Sequence, residues 1–167
     1  MQTTPLIKIS ISDIVGECGM NRNSFYYHFK DKYELLNWIF LTEITVEVTQ
    51  EEVFELSIWE LISRISRYLY DNKAFYANAM NYEGQDSFND FFREFLETLF
   101  ETRSEDIFEE NNKNEEFQEF YINFFVDLTI STLSRWIKED AKYPPDRFVK
   151  MVKKATVSAA IKILQDA

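Results

Sequence analysis

Apolar residues recur at intervals of three and four along most of this chain, which is the spacing of one helical face. The longest run covers residues 117–136, about five helical turns, and similar runs cover residues 57–69, 87–100 and 145–164. Only three Gly and three Pro occur in 167 residues, so the turns that separate strands are scarce. The pattern predicts an all-α protein.

Two shorter helices are predicted ahead of these runs. Ser10 followed by Asp13 has the spacing of a capping box, and Asn21 is a suitable N-cap for a second helix. Gly19 lies between the two helices, and because it has no Cβ it permits a tight turn. Two short helices joined in this way, the second rich in polar and aromatic side chains, predict a DNA-binding helix-turn-helix.

The charge of the chain at first argues against a nucleic-acid partner. The formal net charge is −11 at pH 7, whereas phosphate binding needs Lys and Arg. Residues 1–40 are neutral overall, however, and residues 41–140 carry eight basic against 23 acidic side chains. Residues 141–167 carry six basic and two acidic side chains. The acidity therefore belongs to the middle of the chain and not to the predicted DNA-binding segment.

Several classes of protein are not indicated by this composition. The single cysteine, Cys18, cannot form an internal disulfide, and no segment resembles a signal peptide or a membrane span of about 20 apolar residues. We therefore expect a cytoplasmic protein with no membrane partner. One His, no glycine-rich phosphate loop and carboxylates spread along solvent faces favour neither an enzyme nor a metal or cofactor site.

The predicted helix-turn-helix carries a family resemblance. The segment "ISISDIVGECGMNRNSFYYHFKDKYELL", residues 9–36, resembles the DNA-binding region of TetR/AcrR-type transcriptional regulators. The segments "NRNSFYYHFKDKYELLNWIF" and "RWIKEDAKYPPD" resemble the DhaS-like subgroup, which is associated with dihydroxyacetone kinase. The resemblance implies a helix-turn-helix domain over residues 1–42, followed by a helical ligand-binding and dimerisation domain over residues 43–167. It also implies a dimer that binds palindromic operator DNA.

Seven positions match the DNA contacts of the family. They are Arg22, Asn23, Ser24, Tyr26, Tyr27, His28 and Lys32. The first three begin the recognition helix and are expected to reach base edges, because Arg and Asn can bond purine edges bidentately. The two tyrosines and the histidine are expected to contact phosphates or a thymine methyl, and Lys32 a phosphate.

The resemblance further implies that a small effector binds among the central helices. The residues that could line its pocket are Trp59, Tyr68, Phe75, Tyr76, Phe91, Phe95, Tyr121 and Phe124. An aromatic stripe at helical spacing belongs to a core more often than to a pocket, so a core role is the alternative for each of them.

A dimer would use the two C-terminal helices of each subunit in a four-helix bundle. The residues expected near this interface are Phe125, Trp136, Phe148, Ala155 and Ala159. The alternative is that these residues belong to the core of a single subunit.

The segment ahead of the motif departs from the family pattern. TetR-type domains have another helix there, and "MQTTPLIK", residues 1–8, is too short for a helix of about 11 or 12 residues. The sequence therefore predicts that the first helix of the domain is missing, and two explanations stay open. Either the protein begins further upstream, or the chain is a helical protein-interaction module derived from such a regulator that no longer binds DNA.

Overall fold

The structure is a computed structural model that describes residues 4–82, 84, 87–104 and 115–166. Side chains are described for these residues except 115, 117 and 157–166. The described residues form nine α-helices and a short 3₁₀ helix, Leu6–Lys8, and contain no strand, which confirms the all-α prediction. The helices are α1 (Ile11–Glu17), α2 (Arg22–His28), α3 (Lys32–Glu47), α4 (Gln50–Glu55), α5 (Ile58–Asp71), α6 (Lys73–Met80), α7 (Phe88–Thr102), α8 (Glu115–Lys138) and α9 (Pro145–Asp166).

Local sequence signals explain where four of the helices begin. Each has a Ser or Thr at the N-cap and an acidic residue three positions later, and the two side chains exchange hydrogen bonds with each other's backbone N–H groups. These capping boxes start α1, α4, α5 and α7 at Ser10, Thr49, Ser57 and Ser87. The box predicted at Ser10 is confirmed. The box at Thr49 was not recognised in the sequence, and α4 was missed for that reason.

The main hydrophobic core surrounds Phe40, which lies in α3 and is fully buried. Rings from α5, α6 and α7 meet it edge-on, with centroid distances of 5.9 Å to Tyr68, 6.0 Å to Tyr76 and 5.1 Å to Phe95. Such edge-to-face pairs are favourable beyond the area that they bury. The α3 helix is thereby fixed in the core at its middle, while its first turn directly follows α2. No helix end marks residue 42, the predicted domain boundary, because α3 runs through it.

The two C-terminal helices pack against different parts of the molecule. The α8 helix lies against α6 and α7, and α9 lies against α5. Trp136 of α8 and Phe148 of α9 stack with a centroid distance of 4.3 Å and an interplanar angle of 7°. The indole Nε1 of Trp136 donates to the carbonyl of Tyr143 at 3.1 Å. Both rings are buried, so the structure places Trp136 and Phe148 in the core of the subunit, which was the alternative to an interface role.

Among the described residues, every helix falls short of the length and apolar character needed to cross a membrane.

Candidate nucleic-acid interface

The turn between α1 and α2 is fixed by backbone geometry at Gly19. This residue has a φ of +63°, in the left-handed region that favours glycine. Met20 N donates to Val15 O at 2.8 Å and Gly19 N donates to Gly16 O at 3.2 Å. These two bonds form a Schellman motif, which closes α1 and sets the direction in which α2 leaves. The sequence prediction of a tight glycine turn here is confirmed.

The second helix begins with a side-chain cap. Asn21 Oδ1 accepts a hydrogen bond from Ser24 N at 2.9 Å and another from Ser24 Oγ at 3.3 Å. The Ser24 side chain is half-buried and its proton is used inside the cap. If Ser24 contacts a base, it does so as an acceptor.

One side of α2 is held against the rest of the domain by aromatic rings. Phe25 is only 5% exposed, and its ring lies 5.7 Å from Phe29, centroid to centroid. Phe29 in turn lies 5.6 Å from Trp38 of α3. This row of rings anchors the buried side of the helix and leaves its other side free.

The outer face of α2 is formed by five of the seven residues predicted to contact DNA. They are Arg22, Asn23, Tyr26, Tyr27 and His28, and all five are exposed. Tyr27 is 84% exposed, more than any other large apolar side chain in the described part of the chain. The α2 helix contains no acidic residue, so the face carries the Arg22 charge without an anion beside it in the same helix.

Two of these side chains restrain each other. The Arg22 guanidinium carbon lies 6.0 Å from the centroid of the Tyr26 ring, and Arg22 Nη2 approaches Tyr26 OH at 3.4 Å. Cation–π contact of this kind is weak at an exposed position, about 0.5–1 kcal/mol. It is nevertheless sufficient to bias the long Arg22 side chain toward one orientation before any partner binds.

Lys32 occupies a different position from the other predicted DNA contacts. Its Nζ donates to the carbonyls of Leu6 at 2.7 Å, Ile9 at 2.7 Å and Ile7 at 3.3 Å. Burial lowers the pKa of the Lys32 ammonium below its ordinary value. All three ammonium protons are thus directed at carbonyls of residues 6–9, and a phosphate contact would require Lys32 to leave them. No pattern in the sequence pointed to this role.

A second polar contact holds the same N-terminal segment against α6. Asn78 Oδ1 accepts a hydrogen bond from Leu6 N at 2.8 Å, and Asn78 Nδ2 donates to Thr4 O at 2.6 Å. The Leu6 side chain is buried in the main core. A groove of about 510 Å³ lies beside this segment, between α1, α3 and Phe75 of α6. The helix-turn-helix is therefore connected to the later helices both through α3 and through residues 4–9.

The eight residues predicted to line an effector pocket do not share one cavity. A cavity of about 450 Å³ lies between α3, α4, α5 and α7, and of the eight only Phe91 and Phe95 line it. The other residues that line this cavity, which we call the α3–α7 cavity, are Leu41, Ile44, Thr45, Val48, Gln50, Val53, Leu61, Ile65, Glu94, Thr98, Leu99 and Thr102. The wall of this cavity includes α4. The capping box of Thr49 and Glu52 was the sequence signal that could have predicted α4.

The remaining predicted pocket residues lie in other places. Tyr68 and Tyr76 are buried in the core, where their hydroxyls bond to each other and Tyr68 OH donates to Glu43 Oε2 at 2.6 Å. Burial raises the pKa of both phenols above the ordinary tyrosine value. Trp59 is half-buried at the edge of the core, with Lys153 Nζ 5.7 Å from its ring centroid. Phe75 lines the N-terminal groove.

Tyr121 and Phe124, the last two predicted pocket residues, belong to an apolar surface between α8 and α9. This surface, the α8–α9 face, is formed by Phe120, Tyr121, Phe124, Phe125, Leu128, Thr132, Met151, Val152, Ala155 and Thr156. Phe120 is 66% exposed and Phe124 is 50% exposed. Two predicted interface residues, Phe125 and Ala155, lie on it, whereas the side chain of Ala159 lies outside the described residues.

Comparison with known proteins agrees with this arrangement of helices. The family model described as "Bacterial regulatory proteins, tetR family" matches residues 7–39. A second model of the same family, described as "Transcriptional regulator C-terminal region", matches residues 58–157, which is more than half of the chain.

Individual relatives indicate the same family. The HTH-type dhaKLM operon transcriptional activator DhaS of Lactococcus lactis subsp. lactis (strain IL1403) is 33% identical over 76 residues, which are 46% of this chain and 40% of that relative. The aligned part thus spans less than half of the relative's length. A solved structure of a dihydroxyacetone kinase operon activator DhaS has the same fold, with a TM-score of 0.70, 21% identity, and coverage of 97% of this chain and 89% of that one. The chain therefore belongs to the TetR family of transcriptional regulators, which are not enzymes, and it is similar to DhaS.

Proposed function

We propose that the protein is a homodimeric regulator that binds palindromic operator DNA through the outer face of α2. The observation that carries this proposal is the division of α2 into two sides. Arg22, Asn23 and Tyr27 stand exposed on one side, while Phe25 anchors the other. Arg and Asn are suited to base edges, and Tyr to phosphates. Tyr27 is 84% exposed, so its hydroxyl is accessible to a phosphate.

The α8–α9 face supports the homodimer. Exposed Phe120 and Phe124 lie beside Met151 of α9, so a twofold pairing of this face would bury aromatic area from both subunits. Apolar burial contributes about 25 cal/mol per Å², and aromatic and Met side chains are enriched in interface cores. A twofold dimer would present two α2 helices to half-sites about one DNA turn apart, roughly 34–36 Å.

The α3–α7 cavity supports control by a small effector. Ile44 and Thr45 of α3 line the cavity, and the same helix begins at Lys32, directly after the recognition helix. A ligand that displaces the cavity end of α3 would therefore also change the position of α2. Since coupling between two sites is reciprocal, operator DNA must change the affinity for that ligand by the same factor.

The similarity to DhaS suggests which genes are regulated. The L. lactis relative is named as an activator of the dhaKLM operon. We extend activation of a dihydroxyacetone kinase operon to this protein, on the strength of 33% identity over 76 residues. A reporter fused to the promoter of such an operon in the source genome should rise when the protein is supplied, and a fall in the reporter would identify a repressor.

The DNA-binding proposal is tested by fluorescence anisotropy with the DNA that flanks the gene. Specific binding should weaken steeply with salt, because phosphate contacts release counterions. Arg22→Ala should lower specific affinity by roughly fivefold to 150-fold, since a bidentate base contact contributes about 1–3 kcal/mol. Lys153→Ala, which removes an exposed cation far from α2, serves as the control and should change affinity little. Equal specific affinity in the wild type and Arg22→Ala would reject the assignment of α2.

A second function is favoured by the position of Lys32. Its ammonium is directed at carbonyls of residues 6–9, and residues 1–40 are neutral overall, so cationic contacts to phosphate are few. A helical protein-interaction module derived from a regulator would have this property. Such a module would form the same dimer at nanomolar concentration and would prefer no DNA sequence over a scrambled control in the anisotropy measurement.

A further inference from the structure

The polar groups of the α3–α7 cavity are mostly hydrogen-bond acceptors. Three threonines line it, and each directs its hydroxyl proton to a carbonyl of its own helix. Thr45 Oγ1 donates to Thr42 O at 2.9 Å, Thr98 Oγ1 donates to Glu94 O at 3.0 Å and Thr102 Oγ1 donates to Thr98 O at 2.8 Å. A hydroxyl has one proton and two lone pairs. What the three side chains can offer a ligand is therefore their lone pairs.

The only ionisable side chain that lines this cavity among the described residues is Glu94. It is exposed and stands where the α3–α7 cavity adjoins a smaller one of about 230 Å³. Asp90 and Glu34 also line the smaller cavity, with Lys30 as its cation. Three carboxylates against one ammonium give the opening between the two cavities a net negative charge, as in the middle of the chain.

Gln50 is the one lining side chain with N–H donors in the α3–α7 cavity, within the part of the chain that the structure describes. The rest of the wall is apolar and comes from residues such as Ile44, Leu61 and Phe95. A buried anion needs several donors or a cation, because leaving it unpaired costs several kcal/mol. One amide does not meet that need, and Glu94 would repel the anion at the mouth.

We propose that the effector of this cavity has an apolar body and a cationic or neutral head that donates hydrogen bonds, and that carboxylates and phosphate esters are excluded. The proposal rests on the effector role of the cavity given above and adds the chemical class of the ligand. The apolar body lies against Ile44, Leu61 and Phe95, and the head lies toward Glu94 and the hydroxyl oxygens of Thr98 and Thr102. A volume of about 450 Å³ is within the range of small-molecule sites.

The test uses three probes that share one skeleton and differ in the head group. They are 4-phenylbutan-1-amine, 4-phenylbutan-1-ol and 4-phenylbutanoic acid, titrated by calorimetry into the full chain without DNA at pH 7. At this pH the amine is a cation and the acid an anion. The amine should bind most tightly and the acid most weakly, with a ratio of about tenfold, or about 1.4 kcal/mol.

Two variants and one control test where the probes bind and whether Glu94 causes the preference for the amine. Glu94→Gln should reduce the ratio between amine and acid to about threefold or less, because it removes the charge and leaves the shape. Glu101→Gln, at an exposed position of the same helix that does not line the cavity, is the matched control and should leave the ratio unchanged. Thr98→Trp, at an exposed position of the wall, should fill the cavity and weaken all three probes.

The outcomes separate this inference from the proposed function. Tightest binding by the acid, an unchanged ratio in Glu94→Gln, or unchanged affinity in Thr98→Trp would overturn the ligand class or its location. Absence of binding by all three probes, in protein that still retards operator DNA, would overturn the inference while leaving the DNA-binding function intact. Selective amine binding by protein that prefers no DNA sequence would support the inference and count against the function.

Discussion

At the scale of single residues, the helix-turn-helix depends on backbone geometry that only certain residues adopt easily. Gly19 has a φ of +63°, whereas Gly16, three residues earlier, lies inside α1. A Cβ at either position would meet no atom within 4 Å. A Cβ would therefore fit equally well at Gly16 and at Gly19, and only the backbone conformation distinguishes the two positions.

The same substitution should have opposite effects at these two glycines. Gly19→Ala should lower the free energy of unfolding by about 1 kcal/mol, because an L-residue is strained at positive φ. Gly16→Ala should raise it by roughly 0.5–1 kcal/mol, because alanine loses less chain entropy in a helix. Urea denaturation followed by circular dichroism measures both. Destabilisation of similar size at both positions would mean that side-chain packing, and not φ, governs this turn.

Contacts between residues close together in the sequence were the ones that could be predicted. The capping box at Ser10 and the turn at Gly19 each involve residues within five positions of one another, so the pattern and the contact coincide. Lys32 is different, since its partners are the carbonyls of residues 6–9, more than 20 positions away. Nothing near Lys32 in the sequence distinguishes a lysine that binds carbonyls from one that binds phosphate.

At the scale of elements, helical spacing predicted which residues face the interior, but it did not predict where the packed helices leave a cavity between them. Tyr68 and Phe95 both point into the interior, yet Tyr68 belongs to the closed core and Phe95 to a cavity wall. The difference depends on α4, which adds Val53 to the wall. Because a cavity is formed by several helices together, the apolar face of a single helix cannot predict it.

The contact between residues 4–9 and α6 gives a test at this scale. Asn78→Leu should leave the Leu6 amide without its acceptor and lower stability by about 1–3 kcal/mol. Hydrogen exchange at Leu6 should accelerate at the same time. Asn81→Leu, at the exposed end of the same helix, is the control and should have little effect on either quantity. Unchanged exchange at Leu6 in Asn78→Leu would show that the segment is held by other contacts.

At the scale of the whole molecule, the two C-terminal helices contribute to two different surfaces. Their buried sides meet in the stacked pair Trp136 and Phe148, which sequence spacing could not separate from an interface pair. Their exposed sides form the α8–α9 face, where Phe120 and Phe124 lie open. Both sides are aromatic, so hydrophobicity alone does not distinguish a core from a dimer surface.

Dimerisation through this face is tested by Phe124→Glu. The new carboxylate would be buried without a partner in the dimer but solvated in the monomer, so the variant should be monomeric by light scattering at micromolar concentration. Its operator affinity should fall because the two half-sites are no longer bound together. Phe54→Glu is the matched control, since Phe54 is 69% exposed on α4. A dimeric mass for Phe124→Glu would exclude the α8–α9 face.

The position of Phe40 in α3 sets a limit on how an effector can act. Phe40 lies eight residues from Lys32 and seven from Glu47, so the two arms of the helix are similar in length, about 12 Å and about 10.5 Å. A helix that pivots at its midpoint moves both ends by equal distances in opposite directions. A displacement of about 1 Å at the cavity end of α3 would therefore move α2 by about 1 Å, without amplification. In the proposed dimer, the same movement in both subunits would change the spacing of the two α2 helices by about twice that distance. Effectors too small to spread the cavity wall should bind without releasing DNA.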